Sequence, residues 1–197
     1  MKKSKQTTAG ELRAELEADP IFVARKKLRD QEEAELAASL RSEQESLLHE
    51  LSEVGWHVNS VWDLVNTSKA YPEAIPVLLH HLAYPYSART REGIARALAV
   101  REARYAWPIL ANAYRAEPNG RRTAKDGLAV ALSATVTPET LLEFINIVKD
   151  RSNGESRVLL LRPLRKLKSD VARSVIEELS SDPELAKEIA SWKSRKR

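Results

Sequence analysis

A chain of 197 residues has room for one domain, or a domain with an appendage, and 43% hydrophobic against 30% charged residues is the balance of a folded protein. The absence of cysteine excludes disulfides, thiolate metal sites and cysteine nucleophiles. The net charge of +4 is uneven, with 12 Lys/Arg against 7 Asp/Glu over residues 151–197 and 9 against 11 over residues 1–50, so the C-terminal part either attracts an anionic partner or simply confers solubility.

Met1-Lys2-Lys3-Ser4-Lys5 begins like an export signal, but polar residues follow where an apolar core would stand. No apolar run approaches the roughly 18 residues of a membrane span. A soluble, cytoplasmic protein without membrane contact is therefore expected. Abundant Ala, Leu, Glu, Lys and Arg with few glycines favour helix throughout.

Residues 1–8 are polar and expected to be a disordered tail. Residues 9–56 form an N-terminal helical arm: a short helix capped by Thr8, a break at Asp19-Pro20, then one long helix from Pro20 to Val54, closed by Gly55. Its apolar positions Ile21, Leu28, Leu36, Leu40, Leu47 and Leu51 make a sparse stripe that thickens toward the end, and self-association through this helix is an option. Residues 57–192 hold the main body. It opens with a short capping helix at 59–66, with Asn59 as N-cap. Four helix pairs are expected to follow: 71–83 with 88–100, 103–116 with 121–133, a helix opened by Thr137 with 156–168, and 169–179 with 182–192. Residues 193–197 form a basic tail.

One pattern occurs twice within this body. Ala74-Ile75-Pro76-Val77-Leu78-Leu79 followed by Arg91-Glu92-Gly93-Ile94-Ala95-Arg96-Ala97-Leu98 is echoed by Ala106-Trp107-Pro108-Ile109-Leu110-Ala111 followed by Lys125-Asp126-Gly127-Leu128-Ala129-Val130-Ala131-Leu132. The prolines lie 32 positions apart and the glycines 34. A fixed offset of this size, with two helices per copy, is the signature of a helical repeat. Leu98, Leu132 and Leu164 fall in one column, expected to be core. In the third unit Leu159 replaces the glycine and Pro163 the alanine, and a kink is expected there.

The proline in the first helix and the small residues in the second resemble HEAT repeats over roughly residues 71–192. The resemblance implies an all-α fold: a right-handed α-α superhelix of about four HEAT-like helix pairs, preceded by the long N-terminal helix. It implies that the second helices line a concave face, where an Asp and an Arg or Lys often recur. Glu92 with Arg91 and Asp126 with Lys125 match that tendency, whereas the third unit keeps Arg157 but has Val158 in the acidic place. Such proteins bind proteins or nucleic acids and usually lack catalysis, although one bacterial branch excises alkylated bases from DNA.

On this face the candidate binding residues are Arg91, Arg96, Arg122, Lys125, Arg157 and Arg162. Stacked cations at offsets of 34 and 32 either track a phosphate backbone or pair with Glu92 and Asp126. Trp107 is expected in the core. Trp62-Asp63 is the one combination suited to a base-excising pocket, and nothing beyond residue type supports it. Adjacent helical positions point about 100° apart, so His80-His81 does not suggest a metal site, and no phosphate-binding, zinc-protease or serine-hydrolase motif occurs. The expected function is a non-enzymatic scaffold or adaptor that binds a protein partner and needs no cofactor. Nucleic-acid binding is the alternative, with a DNA glycosylase as a remote third.

Overall fold

The computed structural model describes residues 8–120, 122–167 and 169–194. They are all-helical: twelve α-helices, two short 3-10 helices and no strand among the described residues. None of these helices is long and apolar enough to cross a membrane. Of the tail expected over 1–8 only Thr8 is described, and of the basic tail over 193–197 only the helical backbone of 193 and 194. The rest of both tails, with Arg121 and Lys168, lies outside the described residues.

The chain divides into two compact units, residues 1–43 and 44–197. In the first, α1 (Ala9–Ala18) starts with a reciprocal cap between Thr8 and Glu11. α2 (Pro20–Glu43) starts where Asp19 Oδ1 accepts the Ile21 amide at 2.9 Å. The two helices pack on each other, and no residue of α2 is buried.

The long helix expected to run to Val54 is broken at Gln44, without Gly or Pro. Gln44 is fully buried, and its side chain is committed to tertiary partners: Oε1 accepts the Val61 amide at 2.9 Å, and Nε2 donates to Thr90 Oγ1 at 3.2 Å. A buried amide must satisfy both its ends, and turning inward to do so costs the helix its continuity. α3 (Glu45–Glu53) then ends as expected at Gly55. The Trp56 amide donates to the Leu51 carbonyl at 2.8 Å and Gly55 to Ser52 at 3.0 Å, while Gly55 takes a φ of 88°.

The remaining helices are α4 (Val61–Asn66), α5 (Ala74–Leu82), α6 (Ala88–Ala97), α7 (Trp107–Ala116), α8 (Lys125–Thr135), α9 (Leu141–Lys149), α10 (Arg157–Lys166), α11 (Asp170–Leu179) and α12 (Ala186–Ser194). Short 3-10 helices at Arg101–Ala106 and Arg151–Ser156 precede α7 and α10. The N-cap of α4 is Ser60, not Asn59, because Asp63 returns to accept the Ser60 amide. Pro76 and Pro108 fall in the first turns of α5 and α7, where a missing N–H costs nothing. α8 begins four residues later than expected. Glu117 Oε1 accepts the Ala124 amide at 2.9 Å, and Arg122 just before it takes a left-handed φ of 66°.

In the second unit α4, α6, α8 and α10 pack side by side in succession, while α5, α7 and α9 each pack on the helix that follows. The recurring glycines sit at the closest approaches. A methyl group on Gly93 would come within 2.6 Å of Val61 Cγ1 and 2.9 Å of Trp62 Nε1. On Gly127 it would lie 2.8 Å from the Glu92 carbonyl oxygen and 3.1 Å from Ala95 Cβ. The 34-residue offset is therefore the spacing at which one second helix must touch the last. Leu98, Leu132 and Leu164 are all fully buried, as are Trp107 and Tyr114. Each buried leucine contributes about 1.5–3 kcal/mol of transfer free energy. On α9 Leu142 is 74% exposed, whereas Phe144, Ile145, Ile147 and Val148 are buried.

Candidate binding groove

Arg91, Lys125 and Arg157 do recur along successive second helices, but they do not line an open face. Lys125 and Arg157 are buried, and all three cations are engaged at inter-helix turns, Arg91 and Arg157 at that of the next pair and Lys125 chiefly at that of its own. Arg91 pairs with Glu117 at 2.6 Å, on a side chain 4% exposed. Lys125 Nζ donates to the carbonyls of Tyr114 and Glu117 at 2.6 and 2.9 Å, closing the last turn of α7, and reaches Asn153 Oδ1 at 3.5 Å. Arg157 donates to the Val148 carbonyl at the end of α9, to both oxygens of Asp182 at 3.0 and 3.3 Å, and to Glu184. A helix C-terminus leaves carbonyls unpaired and carries partial negative charge, so a cation there is stabilising.

The phosphate-tracking column is thus corrected to a chain of latches between repeats. Two of its three charges are removed from solvent, and the third faces a carboxylate. The partners also differ from those expected. Glu92 pairs with Arg96 at 2.8 Å within α6, and Asp126 forms no ion pair among the described residues. Burial works against the charge of Arg157, but Asp182 and Glu184 outweigh it and raise its pKa. In return the Arg157 guanidinium holds the Asp182 carboxyl below the usual range. With no such carboxylate in contact, Lys125 has its pKa lowered by burial.

A different set of cations surrounds a groove of about 660 Å³ between α8, α10 and α12. Its apolar floor includes Val130, Val158 and Leu159. Arg162, Arg165 and Lys166 stand along it, all exposed. On the α12 side Trp192 donates through Nε1 to Glu188 at 2.8 Å, and the Arg165 guanidinium lies 5.0 Å from the centre of its ring. A guanidinium at this distance over an indole is attracted by the ring's electron-rich face, and both side chains line the groove. Among the described residues, Arg162 and Lys166 have no hydrogen-bond or ion-pair partner.

Backbone chemistry shapes the floor. Pro163 has no N–H, so the Leu159 carbonyl four residues earlier loses its helical donor. Ser133 Oγ of α8 supplies one instead, at 3.0 Å. The proline at which irregularity was expected therefore exposes a carbonyl that ties α10 to α8 beneath the groove.

Of the residues singled out from sequence, the structure brings Arg162 to this groove, which Val130 also lines. Arg96 is turned away to Glu92 and borders a separate shallow cavity with Lys69 and Glu102. Arg122 is exposed on the loop before α8. Asp63 does not face an open pocket: its Oδ2 accepts the amides of Asn59 and Ser60 at 2.8 and 3.1 Å, capping α4. Sequence reasoning missed Gln44, Glu117, Asn153 and Asp182, whose roles arise from contacts with distant residues. Trp192 with Arg165 was within reach, since an aromatic and a cation both stood out in the basic C-terminal part.

No protein-family model, no curated protein and no solved structure matches this chain.

Proposed function

We propose that this chain is a cytoplasmic, non-enzymatic HEAT-like repeat protein, whose helix pairs continue one another as an α-solenoid, and that it binds an acidic segment of a protein partner in the groove between α8, α10 and α12. The succession of second helices and the latches between pairs support the repeat reading. The observation that carries the binding reading is the groove itself, in which Arg162 and Lys166 are uncommitted cations beside an apolar floor and Trp192. Apolar anchors surrounded by charge are how protein segments are held with both affinity and register.

Nucleic acid is the weaker reading because the periodic cations are spent on latches. The excision reading loses its carboxylate to the cap of α4. For the first unit, the exposed Ile21, Leu28 and Leu36 of α2 support pairing with a second copy of the chain.

The test is fluorescence anisotropy with a labelled glutamate-rich peptide carrying two leucines and, separately, a single-stranded oligonucleotide. The peptide is expected to bind more tightly at physiological salt. Tight oligonucleotide binding with a steep salt dependence and no peptide binding would replace this reading with nucleic-acid binding.

A further inference from the structure

Away from the groove, α3 and α5 bring Glu50 beside His80 and His81, which follow it by 30 and 31 positions in sequence. Glu50 Oε1 lies 3.1 Å from His81 Nε2, and Glu50 Oε2 lies 3.5 Å from His80 Nδ1. All three donor atoms fall within 4.8 Å of one another. Adjacent helical residues diverge, but here one histidine offers its near nitrogen and the other its far one. Their rings stand 5.3 Å apart at 76°, which offsets the divergence.

His81 is the informative member. It is completely buried, yet its Nε2 has no hydrogen-bond partner, since the Glu50 oxygen lies off the direction a hydrogen bond requires. Its Nδ1 is 2.7 Å from the Tyr86 hydroxyl, and the rings of Tyr84 and Tyr86 stack beside it. If Nδ1 carries the proton and donates to Tyr86, the Nε2 lone pair faces a carboxylate. If Nε2 carries it, the carboxylate is misaligned. Neither tautomer satisfies the buried nitrogen, and native structures seldom leave such an atom without a partner.

A metal ion resolves both difficulties. In a tetrahedral site with bonds of about 2 Å the ligand atoms stand about 3.3 Å apart, and the two Glu50 contacts already bracket that value. Only the His80 imidazole, with 58% of its side chain exposed, must swing inward, giving up the long 3.4 Å contact of its Nε2 with the Tyr84 hydroxyl. Two imidazoles and one carboxylate suit a borderline-soft ion and not calcium or magnesium, which favour all-oxygen shells.

We propose that Glu50, His80 and His81 bind one divalent transition-metal ion of the Zn²⁺ class, with the Tyr86 hydroxyl fixing the His81 tautomer. The ion joins α3 to α5 and keeps a fourth position on the exposed His80 side for water or a partner's side chain. A ligating histidine characteristically has its second nitrogen held by an oxygen, as Tyr86 holds this one.

The full chain, stripped with a chelator, is titrated with Zn²⁺ by calorimetry and with Co²⁺ by visible absorption. Variants H80A, E50Q and Y86F are compared, with circular dichroism confirming that each is folded. One Zn²⁺ per chain is expected, with the visible bands of four-coordinate Co²⁺ and a melting temperature that rises with Zn²⁺ in the parent but not in H80A. Outer-shell changes weaken metal binding about 10–100-fold, so Y86F should fall in that range and H80A and E50Q beyond it. The proposal is overturned if no saturable binding occurs below millimolar Zn²⁺. It is equally overturned if binding is unchanged in both H80A and E50Q, because the ion then sits elsewhere.

Discussion

Arg157 keeps a full charge with 1% of its side chain exposed because Asp182, Glu184 and two backbone carbonyls surround it. Removing one partner of a buried pair strands the other, at a cost of about 3–5 kcal/mol. Arg157→Ala should therefore lower stability by that order in urea unfolding, while the double change Arg157→Met with Asp182→Leu should lose much less. The pH dependence follows from the depressed Asp182 carboxyl. Its contribution is complete above the unfolded value of about 3.9 and lost as pH falls through the lower folded value. Acid unfolding of the parent should thus include a component absent from Asp182→Asn, visible as a shallower pH dependence of the variant's stability below about pH 4. None of this was legible from sequence. Lys125 and Arg157 were found by periodicity, but periodicity specifies a face and not the partner that covers it.

At the scale of the helix, legibility followed local chemistry. Thr8 with Glu11, Asp19 with Pro20, and Gly55 mark helix ends because capping depends on neighbours in sequence, and all three stand as expected. The break at Gln44 was hidden because its cause is a bond to Val61 and Thr90, far along the chain. The glycines were visible as a period but their purpose was not. With 2.8 Å to the Glu92 carbonyl, Gly127→Ala should push α8 from α6 and cost about 1–3 kcal/mol as overpacking. Thermal unfolding measures this, and an unchanged Tm would show that α6 and α8 have room to spare. Ser133→Ala should cost about 1 kcal/mol by orphaning the Leu159 carbonyl, as one lost hydrogen bond does.

For the whole molecule, two surfaces remain to be matched with partners. On α2, Ile21, Leu28 and Leu36 are 63%, 58% and 48% exposed, an apolar row on a helix that also carries ten charged residues. Sedimentation velocity should show concentration-dependent association that Leu28→Glu with Leu36→Glu abolishes. A monomer at every concentration would count against pairing. The all-helical class was legible from composition and period. The groove was not, because it depends on α12 bringing Trp192 across to α10, a contact with no trace in the repeat pattern. Its charge nevertheless matches the basic C-terminal part seen at the outset. If Arg162 and Lys166 select an acidic segment, swapping their charge must swap the peptide that is bound. Titrating the parent and the variant Arg162→Glu/Lys166→Glu with matched acidic and basic leucine-containing peptides, read by Trp192 fluorescence against a Trp192→Phe control, should show preference for the acidic peptide in the parent. That preference should reverse in the variant. Equal affinities of parent and variant for the acidic peptide would contradict it.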